Sequence, residues 1–271
     1  MDIWTKILQL MDAKMQTPTL FGWFHLLWLG IMVLASVLLA RWSKKAQAKH
    51  VTNFVLIVSI VTVVLEVYKQ INYTFGDGSG APDYQWYAFP WQFCSTPMYI
   101  GLLAGLVRKG KAYDCLCAYL ATFAVFAGLA VMVYPGDVFV STIGINIQTM
   151  VCHGGMVVTA AVLLASGHAS AQLKTLWKAV PVFVVTLGVA MILNEVAHAT
   201  GLLETDTFNM FYISPYCDPH LPIYSLVQPL VSYPVSLVIY VVGFTAAAGI
   251  MLLGARGIGC LAGRKKMHEA A

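Results

Sequence analysis

Charge is what this chain has least of. Asp, Glu, Lys and Arg make up 10% of its 271 residues, against 59% hydrophobic, where a soluble domain carries roughly 25% charged residues. So little surface charge excludes a protein that lives in water. Lysine and arginine are missing altogether from three stretches, Asn72 to Phe89, Pro135 to Thr142 and Gly201 to Pro229. The last long apolar run contains no lysine, which excludes a retinal Schiff base there. Cys115 and Cys117 have no histidine or further cysteine nearby, so no metal site is read from them, and no cofactor is expected. Internal repeats, low-complexity tracts and a separable soluble domain are absent as well. The net charge of +4 is spread over several short segments, which argues against a nucleic-acid partner.

What remains is a set of long apolar runs: Leu20 to Trp42, Val51 to Ile71, Pro90 to Val107, Tyr113 to Tyr134, Ile143 to Ser166, Leu176 to Thr200 and Leu230 to Gly254. Each is near or above the ~17–25 residues a helix needs to cross a bilayer, and backbone amides without water partners favour helices there. The first run is too long for a cleaved signal peptide, and its basic flank is on the wrong side. The expected fold is all-α and polytopic, with seven transmembrane helices.

Orientation follows from the basic residues. Arg41, Lys44, Lys45 and Lys49 lie after the first run, Arg108, Lys109 and Lys111 after the third, and Lys174 and Lys178 after the fifth. Arg256, Arg264, Lys265 and Lys266 follow the seventh, and only Lys6, Lys14 and Lys69 depart from the alternation. The bias places the C-terminus in the cytoplasm and the N-terminus outside. Residues 1–19 form an interfacial segment, with Ile3, Trp4, Ile7, Leu8 and Met11 at helical spacing. Residues 20–256 form the transmembrane domain, and 257–271 a basic cytoplasmic tail.

Several residues in these runs are ones hydrocarbon tolerates poorly. In the third run, Pro90 suits a first helical position. Cys94 then lies near the positive end of the helix dipole. Pro97 leaves the Phe93 carbonyl without its amide donor and bends the helix. Gln92, Ser95 and Thr96 surround the sulfur with hydrogen-bonding groups. Glu66 and Lys69 in the second run are three residues apart, close enough to pair, and read either as a tether of helix ends or as the lining of a wet cavity. His153 sits in the middle of the fifth run, beside Gly154 and Gly155. His25 opens the first run, while Asn194, Glu195 and His198 close the sixth. The aromatic loop that follows, with Asn209 in Phe208–Tyr212, reads as a lid or re-entrant segment. A disulfide between Cys94 and Cys217 stays open if the outside is oxidising.

These motifs, in this order, resemble the YwaF-like bacterial membrane proteins and their eukaryotic relative, transmembrane protein 164. The resemblance rests on Phe21 with His25, on Pro90 with Cys94 and Ser95, and on Pro135-Gly136-Asp137. It continues through His153-Gly154, Asn194 and Asn209-Met210-Phe211-Tyr212. Phe93 stands where the family often has histidine, so any role of that histidine is absent here. The resemblance implies residence in the bacterial cytoplasmic membrane and acyl transfer between phospholipids through a cysteine and a histidine.

On that reading Cys94 is the nucleophile and His153 the general base, forming a thioester that a lysophospholipid hydroxyl or water then resolves. Asn194 and Ser95 would donate to the oxyanion, while His25 and Glu66 would orient the base or bind a head group. Lys69, Glu195, His198 and Asn209 complete the supporting set. A transporter or receptor for a lipid or small ligand is the alternative, with Glu66, Lys69, Asn194 and Glu195 around an outward cavity. Counted from the run starts, Cys94 lies roughly 6 Å deep and His153 roughly 15 Å, so tilt, a bend at Pro97 or a later start to the fifth helix must bring them together.

Overall fold

The computed structural model describes residues 3–76, 81–201, 207–218, 221 and 223–269 of the chain. A short amphipathic helix, α1 (Ile3–Met11), precedes α2 (Trp23–Ser43) and α3 (Ala48–Phe75). Then come α4 (Thr96–Val107), α5 (Gly110–Leu120), α6 (Phe123–Val133), α7 (Ile143–Ala165), α8 (Leu173–Thr200), α9 (Tyr224–Val227) and α10 (Tyr233–Glu269). Among the described residues six stretches are long and apolar enough to cross a membrane, α5 and α6 counting together as one. The chain is an all-helical, multi-pass architecture.

The third run departs most from expectation. Its helix starts at Thr96 rather than Pro90, and Phe89–Ser95 is a series of turns. Pro97 is therefore in the first helical turn, where its missing N–H costs nothing. It bends no helix, and the Phe93 carbonyl accepts from Thr96 Oγ1 (2.9 Å). At 12 residues α4 is only ~18 Å long, short of the ~30 Å hydrocarbon core. The chain before it, with one 3-10 turn at Trp86–Ala88, descends along α3. Asp83 N–H donates to Thr74 O (2.8 Å), Gln85 N–H to Tyr73 O (3.2 Å), and Gln70 Nε2 to Ala88 O (2.9 Å).

The fourth run is broken too, although no glycine or proline marks the place. Helix α5 stops at Leu120 and α6 restarts at Phe123, with Thr122 outside the helical region. Thr122 Oγ1 donates to Ala118 O (2.7 Å), taking up a carbonyl left over at the end of α5. Helix α10 continues through most of the stretch read as a tail, where the side chains of 260–269 and residues 270–271 lie outside the described residues.

Two ends of the bundle can be told apart. The basic end carries the short turns after α2, α4 and α7. The opposite end carries α1, the descending 81–95 segment and the turn before α7. There Met15 N–H donates to Ser141 O (2.7 Å) and Ile143 N–H to Ala13 O (3.0 Å), clasping the N-terminal segment to α7. Helix α2 packs along α7, α3 against α4 and α7, α5 on α8, and α10 on α6 and α8. An aromatic cluster of Phe93, Phe123, Phe183, Tyr240 and Phe244 fills the centre, its tightest stacks joining Tyr240 with Phe244 (4.2 Å between ring centres) and Phe123 with Phe183 (4.4 Å).

Candidate active site

Polar stripes on two antiparallel helices face each other across a cavity of about 330 Å³, within the range of small-molecule sites. Helix α3 contributes Ser59, Thr62, Glu66, Lys69 and Tyr73, at spacings that keep them on one face. Helix α7 contributes Gln148, Thr149, Cys152, His153, Met156 and Thr159 in the same way. The turns before α4 close one side with Gln92, Cys94 and Ser95. Cys94, His153, Glu66, Lys69 and Ser95, expected from widely separated runs, thus line one space.

Lys69 Nζ lies 2.7 Å from Glu66 Oε1, with both side chains largely buried. Gln70 Nε2 donates to the same carboxylate oxygen (2.6 Å). Tyr84 on the descending segment donates its hydroxyl to Gln70 Oε1 (2.5 Å). The chain from Tyr84 through Gln70 to Glu66 fixes the ion pair at the cavity wall.

The tautomer of His153 follows from its partner. Nδ1 stands 2.7 Å from the Thr149 carbonyl, which only accepts, so Nδ1 carries the proton and Nε2 keeps its lone pair. Nε2 is buried and has no hydrogen-bond partner among the described residues. Cys94 is a free thiol, so no disulfide joins it to Cys217. No hydrogen bond joins it to His153 Nε2 either. Gly101 of α4 faces Ser59, and Gly155 of α7 faces Val58. Counting from these contacts leaves Cys94 roughly 9 Å nearer the opposite end than His153. Thiol and imidazole share the cavity at different depths.

The loop after α8 is drawn into the bundle. Asn194 holds Met210 by both backbone groups, Nδ2 to its carbonyl (3.1 Å) and Oδ1 from its amide (2.8 Å). Gln92 does the same across the loop, Nε2 donating to Asn209 O (3.0 Å) and Oε1 accepting from Phe211 N–H (3.0 Å). Tyr240 donates to Phe211 O (2.9 Å). Pinned in this way, Phe211 and Tyr212 both adopt left-handed backbone (φ 59° and 56°), a strained state for aromatic residues, and Tyr212 reaches the cavity wall. The segment is re-entrant, with Met210, Phe211 and Ile213 fully buried.

Other expected site residues lie elsewhere. His25 is fully buried but away from the cavity, with both ring nitrogens occupied: Phe21 N–H donates to Nδ1 (2.9 Å) and Nε2 donates to Met132 O (2.8 Å). It ties α2 to the end of α6. Asn194 spends its amide on Met210, and the Asn209 carboxamide accepts from Ser214 N–H (2.8 Å). Glu195 accepts from the Tyr216 hydroxyl (2.9 Å) on the surface, and His198 stacks on that same ring (3.4 Å). Of the four residues named for a transporter or receptor, Glu66 and Lys69 line the cavity, whereas Asn194 and Glu195 do not. Tyr73, Tyr87, Asp137 and Cys152 line it without having been singled out as site residues; the Ser-Thr-Glu-Lys-Tyr periodicity of α3 was the signal that could have found Tyr73.

Residues 20–252 match the TMEM164 family, a match that runs from the start of α2 deep into α10. The chain belongs to the TMEM164 family. Together with six membrane-length apolar helices, that membership makes it an integral multi-pass membrane protein. No curated protein and no solved structure matches the chain. The matched span takes in the whole cavity, from Val58 to Tyr212.

Proposed function

We propose that this family member is a membrane-embedded lipid acyltransferase or acyl-ester hydrolase that works through a thioester on Cys94. The observation that carries the reading is the bare Nε2 of His153, buried and unpartnered in the cavity that also holds the Cys94 thiol. A buried nitrogen with a free lone pair is a proton acceptor in waiting.

The Cys94 thiol proton passes to Nε2, through a bridging water or after rotation of the cysteine side chain. The thiolate attacks the ester carbonyl carbon, the C–S bond forms, and the C–O bond breaks as Nε2–H protonates the departing alcohol. A lysophospholipid hydroxyl or water then gives its proton to Nε2 and displaces the thiolate, which takes the proton back. Ser95, in the same wall, is the side-chain donor for the oxyanion. The Glu66–Lys69 pair offers charge to a head group at the polar mouth. In this reading α4 and its non-helical approach count as one crossing, so seven crossings put the basic end in the cytoplasm and the cavity mouth outside. The setting is the cytoplasmic membrane of a bacterium, in the YwaF-like branch.

The test is the intact mass of protein incubated with phospholipid vesicles. Wild type and Cys115→Ala gain an acyl mass that hydroxylamine removes, Cys94→Ala gains none, and His153→Ala gains it about 10²–10⁴ times more slowly. An acyl adduct that persists in Cys94→Ala sinks the reading.

A further inference from the structure

The cavity is unlike at its two ends, and the difference gives a bound lipid a direction. Toward the opposite end it is walled by Tyr73, Tyr87, Gln92, Asp137 and Tyr212. Toward the basic end, past His153, the wall is Val58, Leu120 and Met156, with Thr159 at the last position on α7. The α3 hydroxyls along the way down are already occupied: Thr62 Oγ1, just above the level of His153, donates to Ser59 O (2.9 Å), and Ser59 Oγ, below it, to Val55 O (2.9 Å). What they present to the cavity is largely methyl and methylene surface.

The lower end is also closed. Immediately beyond Val58 and Thr159, α3, α5 and α7 meet through Val51, Val55, Cys117, Ala118, Val162 and Leu163, none more than 1% exposed. An ester head group finds hydrogen-bond partners only at the mouth, where leaving its polar atoms unpaired would cost least. The hydrocarbon tail has only the lower wall.

We propose that the cavity is a one-ended slot for an acyl chain, which runs from Cys94 toward the basic end, is narrowed by Val58 and is stopped at Thr159. The slot rests on the thioester reading above and adds a chain-length ruler to it. Its depth follows from the helices that form it. Glu66, near the level of Cys94, to Val58 spans eight residues, or ~12 Å, and Thr159, four residues past the Gly155 that faces Val58, lies ~6 Å deeper still. A chain that fits this depth is gripped along its length, whereas a longer one must fold back or leave its ester short of the sulfur.

Alkyl methanethiosulfonates read the slot without any catalysis. The Cys94 thiolate attacks the reagent sulfur, a mixed disulfide forms, and methanesulfinate leaves. With reagents from ethyl to hexadecyl, followed by mass on Cys94-containing peptides, each added pair of methylenes raises the labelling rate by up to about tenfold until the chain meets the floor, after which the rate falls. Val58→Phe moves that break to shorter chains, and Thr159→Leu does so to a smaller extent. Val58→Ala moves it to longer chains, an opposite displacement that general unfolding cannot mimic. A rate that climbs through hexadecyl without a break, or a break that stays in place in all three variants, overturns the slot. Failure of the thioester reading shows differently: wild type keeps the break with these reagents yet takes no acyl group from phospholipid.

Discussion

At the basic end, α3, α5 and α7 meet through Val51, Val55, Cys117, Val162 and Leu163, side chains almost without exposure. At the opposite end the same α3 and α7 stand apart around a cavity, and their inward positions are Glu66, Lys69, Gln148 and Thr149 instead. The backbones are equally helical in both places, so the inward side chains decide whether helices close or stand open. Lipid offers helices little hydrophobic drive to associate, and packing together with interhelical hydrogen bonds must hold them. The tight end supplies that packing. The open end replaces it with polar ties of defined geometry: Gln92 and Asn194 to the re-entrant loop, and Tyr84 through Gln70 to the ion pair.

That contrast can be broken from either side. Leu163→Ala, at the tight end, leaves a void no neighbour can fill and should lower stability by about 3 kcal/mol, measured by thermal unfolding in detergent, while labelling of Cys94 is unchanged. Glu66→Ala, at the open end, strands the Lys69 ammonium. The cost should be about 2 kcal/mol, below that of a fully buried pair because the cavity is partly wet, and a Glu66→Leu/Lys69→Met double variant should recover most of it. Gln92→Ala should cost about 1 kcal/mol globally, and its larger signature is local. Hydrogen exchange at Met210–Ser214 should speed up while the amides of Val162 and Leu163 keep their protection. Equal acceleration at both ends would mean the bundle opens as one unit and the contrast is false.

Much of this was legible in the residues. Apolar length located the long helices, and i to i+3 spacing located the Glu66–Lys69 pair. The Glu66–Lys69 pair, one reading of which was the lining of a cavity, does line one. The beginning of α4 was not legible, because Pro90 and Pro97 both suit a first helical turn and only the descent of 81–88 along α3 decides between them. The break at Ala121–Thr122 has no local signal at all. His25 shows the limit of residue type as a guide. A histidine near a membrane surface suggests chemistry, yet here two backbone groups take both nitrogens. Which imidazole has a nitrogen to spare is a question of tertiary partners, and His153 answers it differently from His25 because its second neighbour is empty space.

Behind His153 lies Gly128 of α6, where a Cβ would stand 2.6 Å from the His153 carbonyl oxygen. The histidine's own turn of helix thus rests directly on a neighbouring main chain with no cushioning atom between them. Adding one methyl at position 128 would push from behind the chamber on the backbone that carries the imidazole, and on Met156 Cβ (2.9 Å) one turn further along the same helix. Displacing a reacting group by ~1 Å can cost roughly 10²-fold in rate, so the smallest possible substitution, on a helix that contributes no side chain to the site, becomes a sensitive gauge of where that ring must stand.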